Sequence, residues 1–138
     1  MEVKIQDKLS FHGVKFHKID FTSHKSIIGS QEVKLSLKID PKVYYPEKKA
    51  DFFNLIMDTH VYSSDNFDLL VLAIGDFECK RELVDDETRK KLIKHNAPAI
   101  MFPYIRAFIS NLTANLGVFS TQIILPTQFF TGEIEEFD

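Results

Sequence analysis

The sequence has no tryptophan, one cysteine and only five glycines. The single Cys79 excludes an intrachain disulfide and fits a reducing compartment. It sits in a strand-like stretch without a redox motif, which makes it a packing or surface cysteine rather than a nucleophile. So few glycines leave little room for a loop that cradles phosphate with its backbone, and no such motif occurs. The histidines His12, His17, His24, His60 and His95 fall at no recognised ligand spacing, so neither a metal site nor a cofactor is expected. Positive charge is not in excess: a formal net charge of −3 gives no general basic surface and argues against nucleic acid as the main partner. The longest nearly apolar run, Ala97 to Ile109, carries Arg106 and falls short of the about 20 residues a membrane span needs. The opening Met-Glu-Val-Lys-Ile-Gln-Asp-Lys lacks the apolar core of a signal peptide, so the expected location is cytoplasmic.

What is present is enough apolar residue for a proper core. The 138 residues are 44% hydrophobic and 27% charged, and thirteen phenylalanines skew the aromatic content. The patterning divides a single domain over 1–138 into strands (1–82), helices (85–117) and an irregular segment with an acidic tail (118–138), an α+β arrangement.

Residues 3–21 read as extended structure in which the apolar parity switches. Leu9 and Phe11 share one phase, Val14 and Phe16 take the other, and Ile19 and Phe21 return to the first. Each switch needs one extra residue, and Gly13 is the natural bulge site. Val33, Leu35, Leu37 and Ile39 alternate with Lys34, Ser36 and Lys38, as in a half-buried antiparallel strand stopped at Asp40-Pro41. Phe53, Leu55, Met57 and Val61, with Thr59 between them, give a third strand over 51–62. A fourth begins at Phe67 with the continuous apolar run Leu69 to Ile74, which predicts that both of its faces are covered.

Asp85-Asp86-Glu87 opens the helical half. The acids suit an N-terminus, where a side chain caps free N–H groups, and capping accounts for them without acid/base chemistry. A short solvated helix runs to Asn96, and Pro98 is expected to break the backbone before a long helix over 99–116. On that helix Met101, Ile105, Phe108, Ile109, Leu112 and Leu116 form one apolar stripe, with Gly117 as its left-handed stop. Pro103, Ala107, Ser110 and Ala114 form the opposite side, which is small and uncharged instead of solvated. That side predicts a second cover, an oligomer interface.

No constellation of residues supports catalysis, and an enzyme is not expected. The apolar surplus outside core phase is more telling. Ile27, Ile28, Tyr44, Tyr45, Phe52, Phe129 and Phe130 fall in loops, at strand edges or on a strand's minority face, and together suggest an apolar surface kept for a partner.

Pro98-Ala-Ile-Met-Phe-Pro-Tyr-Ile-Arg106 resembles the Phe-Pro-Tyr-x-Arg helix signature of the SecB export-chaperone family. Gln122 to Phe129 resembles the apolar, proline-containing segment that follows it there, Glu32 to Lys38 the second strand, and Leu9 to Phe21 the first. The resemblance implies a four-stranded antiparallel sheet followed by a short and a long helix, assembled as a homotetramer, a dimer of dimers. It also implies a holdase that binds non-native polypeptide clients, for which the seven apolar residues above are the candidate contacts. Two departures qualify the link to export. Lys18, Thr22 and Val71 align with the family's acidic positions for docking the ATPase SecA, and Gly132 to Asp138 replaces its final helix. The alternatives are a dedicated chaperone for one client, such as an antitoxin of a toxin–antitoxin module, or a non-chaperone adaptor or ligand-binding oligomer.

Overall fold

The computed structural model describes residues 8–25, 35–47, 50–63, 65–117, 123–126 and 134–137. The strands are β1 (Leu9–Ser23), β2 (Ser36–Tyr44), β3 (Phe52–Ser63), β4 (Phe67–Cys79) and β5 (Glu135–Phe137), in the sheet order β1-β4-β3-β2-β5. The first four pair antiparallel, whereas β5 adds to β2 in parallel. The sheet is therefore mixed and five-stranded, not four-stranded and antiparallel, because a piece of the acidic tail joins its edge.

Local sequence explains most of the geometry. On β3, Phe53, Leu55, Met57, Thr59 and Val61 are all buried and lie opposite Phe77, Gly75, Ala73, Val71 and Leu69 of β4. β1 carries two register shifts, between Phe11 and Gly13 and between Phe16 and Lys18. These are the parity switches of the sequence. Gly13 has φ +123°, a left-handed backbone that favours glycine. The shifts return Phe11, Val14, Phe16 and Phe21 to one side of the sheet, where Phe11 meets Phe77 at 4.9 Å and Phe16 stacks on Phe108 at 4.1 Å. β2 does not stop at Pro41 but continues to Tyr44. Pro41 is buried opposite Met57 and, among the described residues, stands just before the Lys42–Tyr44 stretch that pairs with β5.

After a 3₁₀ turn (Arg81–Leu83), helix α1 (Asp86–Lys91) begins on an Asp85 carboxylate that accepts the Thr88 N–H at 2.7 Å. Pro98 does not break the chain. A π turn (Leu92–Asn96) carries α1 into α2 (Ala97–Asn115), with the Ala97 N–H donating to Leu92 O. The wider turn absorbs the place where Pro98 brings no N–H. Pro103 inside α2 frees the Ala99 carbonyl, and both residues face solvent, where water can take up the acceptor. Gly117 ends the helix with φ +77°.

Met101, Phe102, Ile105 and Ile109 of α2 are buried in the same cluster as the covered face of β3 and β4. Four phenylalanines, Phe53, Phe67, Phe77 and Phe102, are essentially fully enclosed; each contributes roughly 2–3 kcal/mol through burial.

Candidate polypeptide-binding surface

β4 has one covered face and one open face. Leu69, Val71 and Ala73 are buried beneath the helix, but Leu70 is 41% exposed and Leu72 and Ile74 are half-buried. The expectation that both faces are covered is thus not met among the described residues: helices pack on one side only. Register places Ile56 of β3 beside Ile74, so Ile56, Ile74, Leu72 and Leu70 form a continuous apolar strip across the centre of the open face.

Charged groups rim this strip and pair with one another. Asp76 accepts the Asn54 amide at 2.6 Å and faces Lys15 at 3.7 Å. Lys42 lies between Asp40 at 3.8 Å and Glu135 at 4.0 Å. Asp68 bridges His24 and His60, each at 2.8 Å, and these hydrogen bonds hold its carboxyl below the usual range. The strip is narrow, since the exposed Lys18 and Asp58 are the cross-strand neighbours of Leu72, and its apolar side chains suit apolar groups of a partner.

The aromatic residues singled out in the sequence gather at one end of the sheet. Tyr44 lies on the open face, its ring 5.1 Å from Phe137 of β5. Phe52, two positions along β3 from Asn54, the partner of Tyr44, shares that face and is 54% exposed. Tyr45 follows in the opposite phase. It is half-buried beside Phe53 at 6.4 Å, under the Arg89 guanidinium at 5.9 Å, and burial pushes its hydroxyl pKa up. Ile27, Ile28, Phe129 and Phe130 lie outside the described residues.

Beside Tyr45 a cleft of about 350 Å³ is lined by Arg81, Asp86, Arg89, Lys90, Ile93 and Glu136. Arg89 is 6% exposed and donates to Cys79 O at 3.4 Å and Ala50 O at 3.3 Å, tying the end of β4 to the entry of β3. Cys79 is buried, which raises its thiol pKa and leaves it unreactive. No local pattern pointed to this cationic cleft, since Arg89 and Lys90 read as part of a solvated run and Arg81 as the end of the fourth strand.

On α2, Pro103, Ala107 and Ala114 are exposed, together with Tyr104 at 51%. Ser110 differs: its hydroxyl donates to Ile123 O at 2.9 Å, and Arg106 donates to Leu125 O at 3.0 Å, so the 123–126 segment lies along that part of the helix. Of the positions aligned with acidic docking residues, Lys18 and Thr22 are exposed on β1, but Val71 is 1% exposed under the helix. Val71 therefore belongs to the core and to no docking surface.

No family model matches the chain. An uncharacterized protein of Methanocaldococcus jannaschii is 28% identical over 131 residues, covering 91% of this chain and 82% of that protein. Among solved structures, a SecB-like chaperone of Mycobacterium tuberculosis in complex with a ChAD peptide from an antitoxin superposes with a TM-score of 0.71. It is 13% identical, over 88% of this chain and 92% of that one. A protein of unknown function from Streptococcus agalactiae gives a TM-score of 0.48 at 7% identity, over 86% and 96% of the two chains. The fold is SecB-like, an α+β domain with a mixed five-stranded sheet and one long helix. Among the described residues no helix is long and apolar enough to cross a membrane.

Proposed function

We propose that this protein is a holdase: it binds extended, non-native polypeptide and performs no catalysis. The observation that carries the reading is the uncovered strip Ile56–Ile74–Leu72–Leu70, with Tyr44 and Phe52 on the same face beyond the Asn54–Asp76 pair, on a fold shared with a chaperone solved with a peptide bound. Apolar residues that touch a client through side chains alone accept many sequences, which is what holding requires. The working assembly in this reading is a homotetramer in a cytoplasmic setting, joined through the exposed Pro103, Ala107 and Ala114 side of α2. Coupling to export through SecA is left out of the proposal, since Val71 is buried and Lys18 and Thr22 supply no acid.

A narrower reading, service to one dedicated client, is favoured by the antitoxin peptide in the M. tuberculosis complex. The two separate in one experiment. Size-exclusion chromatography with a reduced, alkylated and permanently unfolded protein should show co-elution, and none with the same protein folded. Co-elution with no unfolded test protein, alongside capture of a single chain from native lysate, would favour the dedicated role. Failure of both would remove the chaperone reading.

A further inference from the structure

The outer edge of β2 is occupied by the protein's own chain. Glu135, Glu136 and Phe137 run parallel to Lys42, Val43 and Tyr44, and the Tyr45 N–H donates to Phe137 O at 3.0 Å. Side chains reinforce this short ladder on both faces. On the open face the Phe137 ring lies on Tyr44 at 5.1 Å, and Glu135 reaches Lys42 at 4.0 Å. On the covered face Ile134 is buried at 6% exposure, while Glu136 meets Lys94 at 3.5 Å and lines the cleft that holds Arg81, Arg89 and Lys90. The edge is thus built to receive an extended strand of the order apolar, acidic, acidic, aromatic.

The occupant is weakly held. Among the described residues three positions pair in parallel, a short ladder of the less stable kind. Glu135, Glu136 and Phe137 are all exposed, Phe137 at 39%. Short, exposed, solvent-facing segments open first. Tyr44 and Tyr45, two residues whose positions suggested a client contact, are the ones this strand engages through ring and backbone.

We propose that Ile134–Phe137 is an intramolecular pseudo-ligand: it closes a strand-docking site on the edge of β2, and an acidic, aromatic-bearing strand of a client displaces it. This rests on the holdase reading above and adds a backbone-pairing subsite and its regulation. The edge supplies main-chain hydrogen bonds that need no sequence. Lys42, Lys94 and the cationic cleft add a preference for acidic residues, and Tyr44 adds one for an aromatic.

The test uses the full chain and a fluorescent peptide of its own sequence, Gly132–Asp138, measured by anisotropy. In the double variant Glu136→Lys/Phe137→Ala the strand in cis is weakened, so the labelled peptide should bind roughly tenfold tighter than to the unchanged chain, as expected when a site open about a tenth of the time becomes fully open. The Tyr45 amide reports the location. Its hydrogen exchange should accelerate in the double variant and slow again when the peptide saturates. Adding Lys94→Glu to the double variant should weaken peptide binding. Equal peptide affinity for both chains, or peptide binding that leaves Tyr45 exchange unchanged, would overturn the proposal. Neither result depends on holding an unfolded client. If neither chain suppresses aggregation while the peptide arm behaves as described, the holdase reading fails and the edge site stands.

Discussion

Asp68 Oδ2 accepts a hydrogen bond from His24 Nε2 at 2.8 Å, joining the end of β1 to the start of β4 across 44 positions of sequence. Its other oxygen takes His60 Nε2 of β3 at the same distance, so one carboxylate ties three strands at the rim of the open face. The bond from His24 and then that from His60 lower the Asp68 pKa from 3.8. A carboxyl whose pKa falls on folding adds stability above its unfolded value, and this is lost as pH drops through the lower folded value. Asp68→Asn should therefore reduce the melting temperature near neutral pH, with the gap from the unchanged chain closing below about pH 4. Thermal melts of both proteins across the acid range measure it.

Gly75 stands where α2 crosses β4. A Cβ added there would sit 2.7 Å from Met101 Sδ and 2.9 Å from the Phe77 ring. Met101 can shift, but Phe77 is stacked on Phe53 at 5.3 Å and has little freedom. Gly75→Ala should destabilise the fold by about 1–3 kcal/mol through overpacking. Urea denaturation gives the value directly, and an unchanged midpoint would mean the helix stands further from the sheet.

The strands were readable wherever side-chain phase was decided locally. Leu9/Phe11, Val14/Phe16 and Ile19/Phe21 marked both β1 bulges, because a buried face punishes a wrong phase. Phe53 to Val61 marked β3 for the same reason. What escaped depends on distant partners. Glu135–Phe137 has no pattern of its own and becomes a strand only because β2 offers an edge. The run Leu69–Ile74 could not tell a covered face from an open one, since leucine and isoleucine look alike on both. Pro98 signals a break, yet a π turn accommodates it. At the candidate surface, Tyr44 and Phe52 were legible as apolar residues out of core phase. The cationic cleft was not, because Arg89 is drawn inside by two carbonyls far from it in sequence.

The α2 face offers a separate check on assembly. Ala107→Glu or Ala114→Glu places a carboxylate on the exposed small face. If that face joins subunits, an unpaired buried charge costs several kcal/mol and the oligomer dissociates. Sedimentation velocity should show a shift to a smaller species with the circular dichroism spectrum unchanged. Normal assembly of both variants would place the interface elsewhere.

The central claim is that the open face of the sheet holds non-native chains. Light scattering of a chemically unfolded, aggregating protein, diluted into stoichiometric amounts of this one, tests it most directly. The unchanged chain should suppress aggregation. Leu70→Lys, which alters a residue 41% exposed at the end of the strip, should lose at least half of that suppression while melting within a few degrees of the unchanged protein. Full suppression by Leu70→Lys, or none by the unchanged chain, would contradict the account.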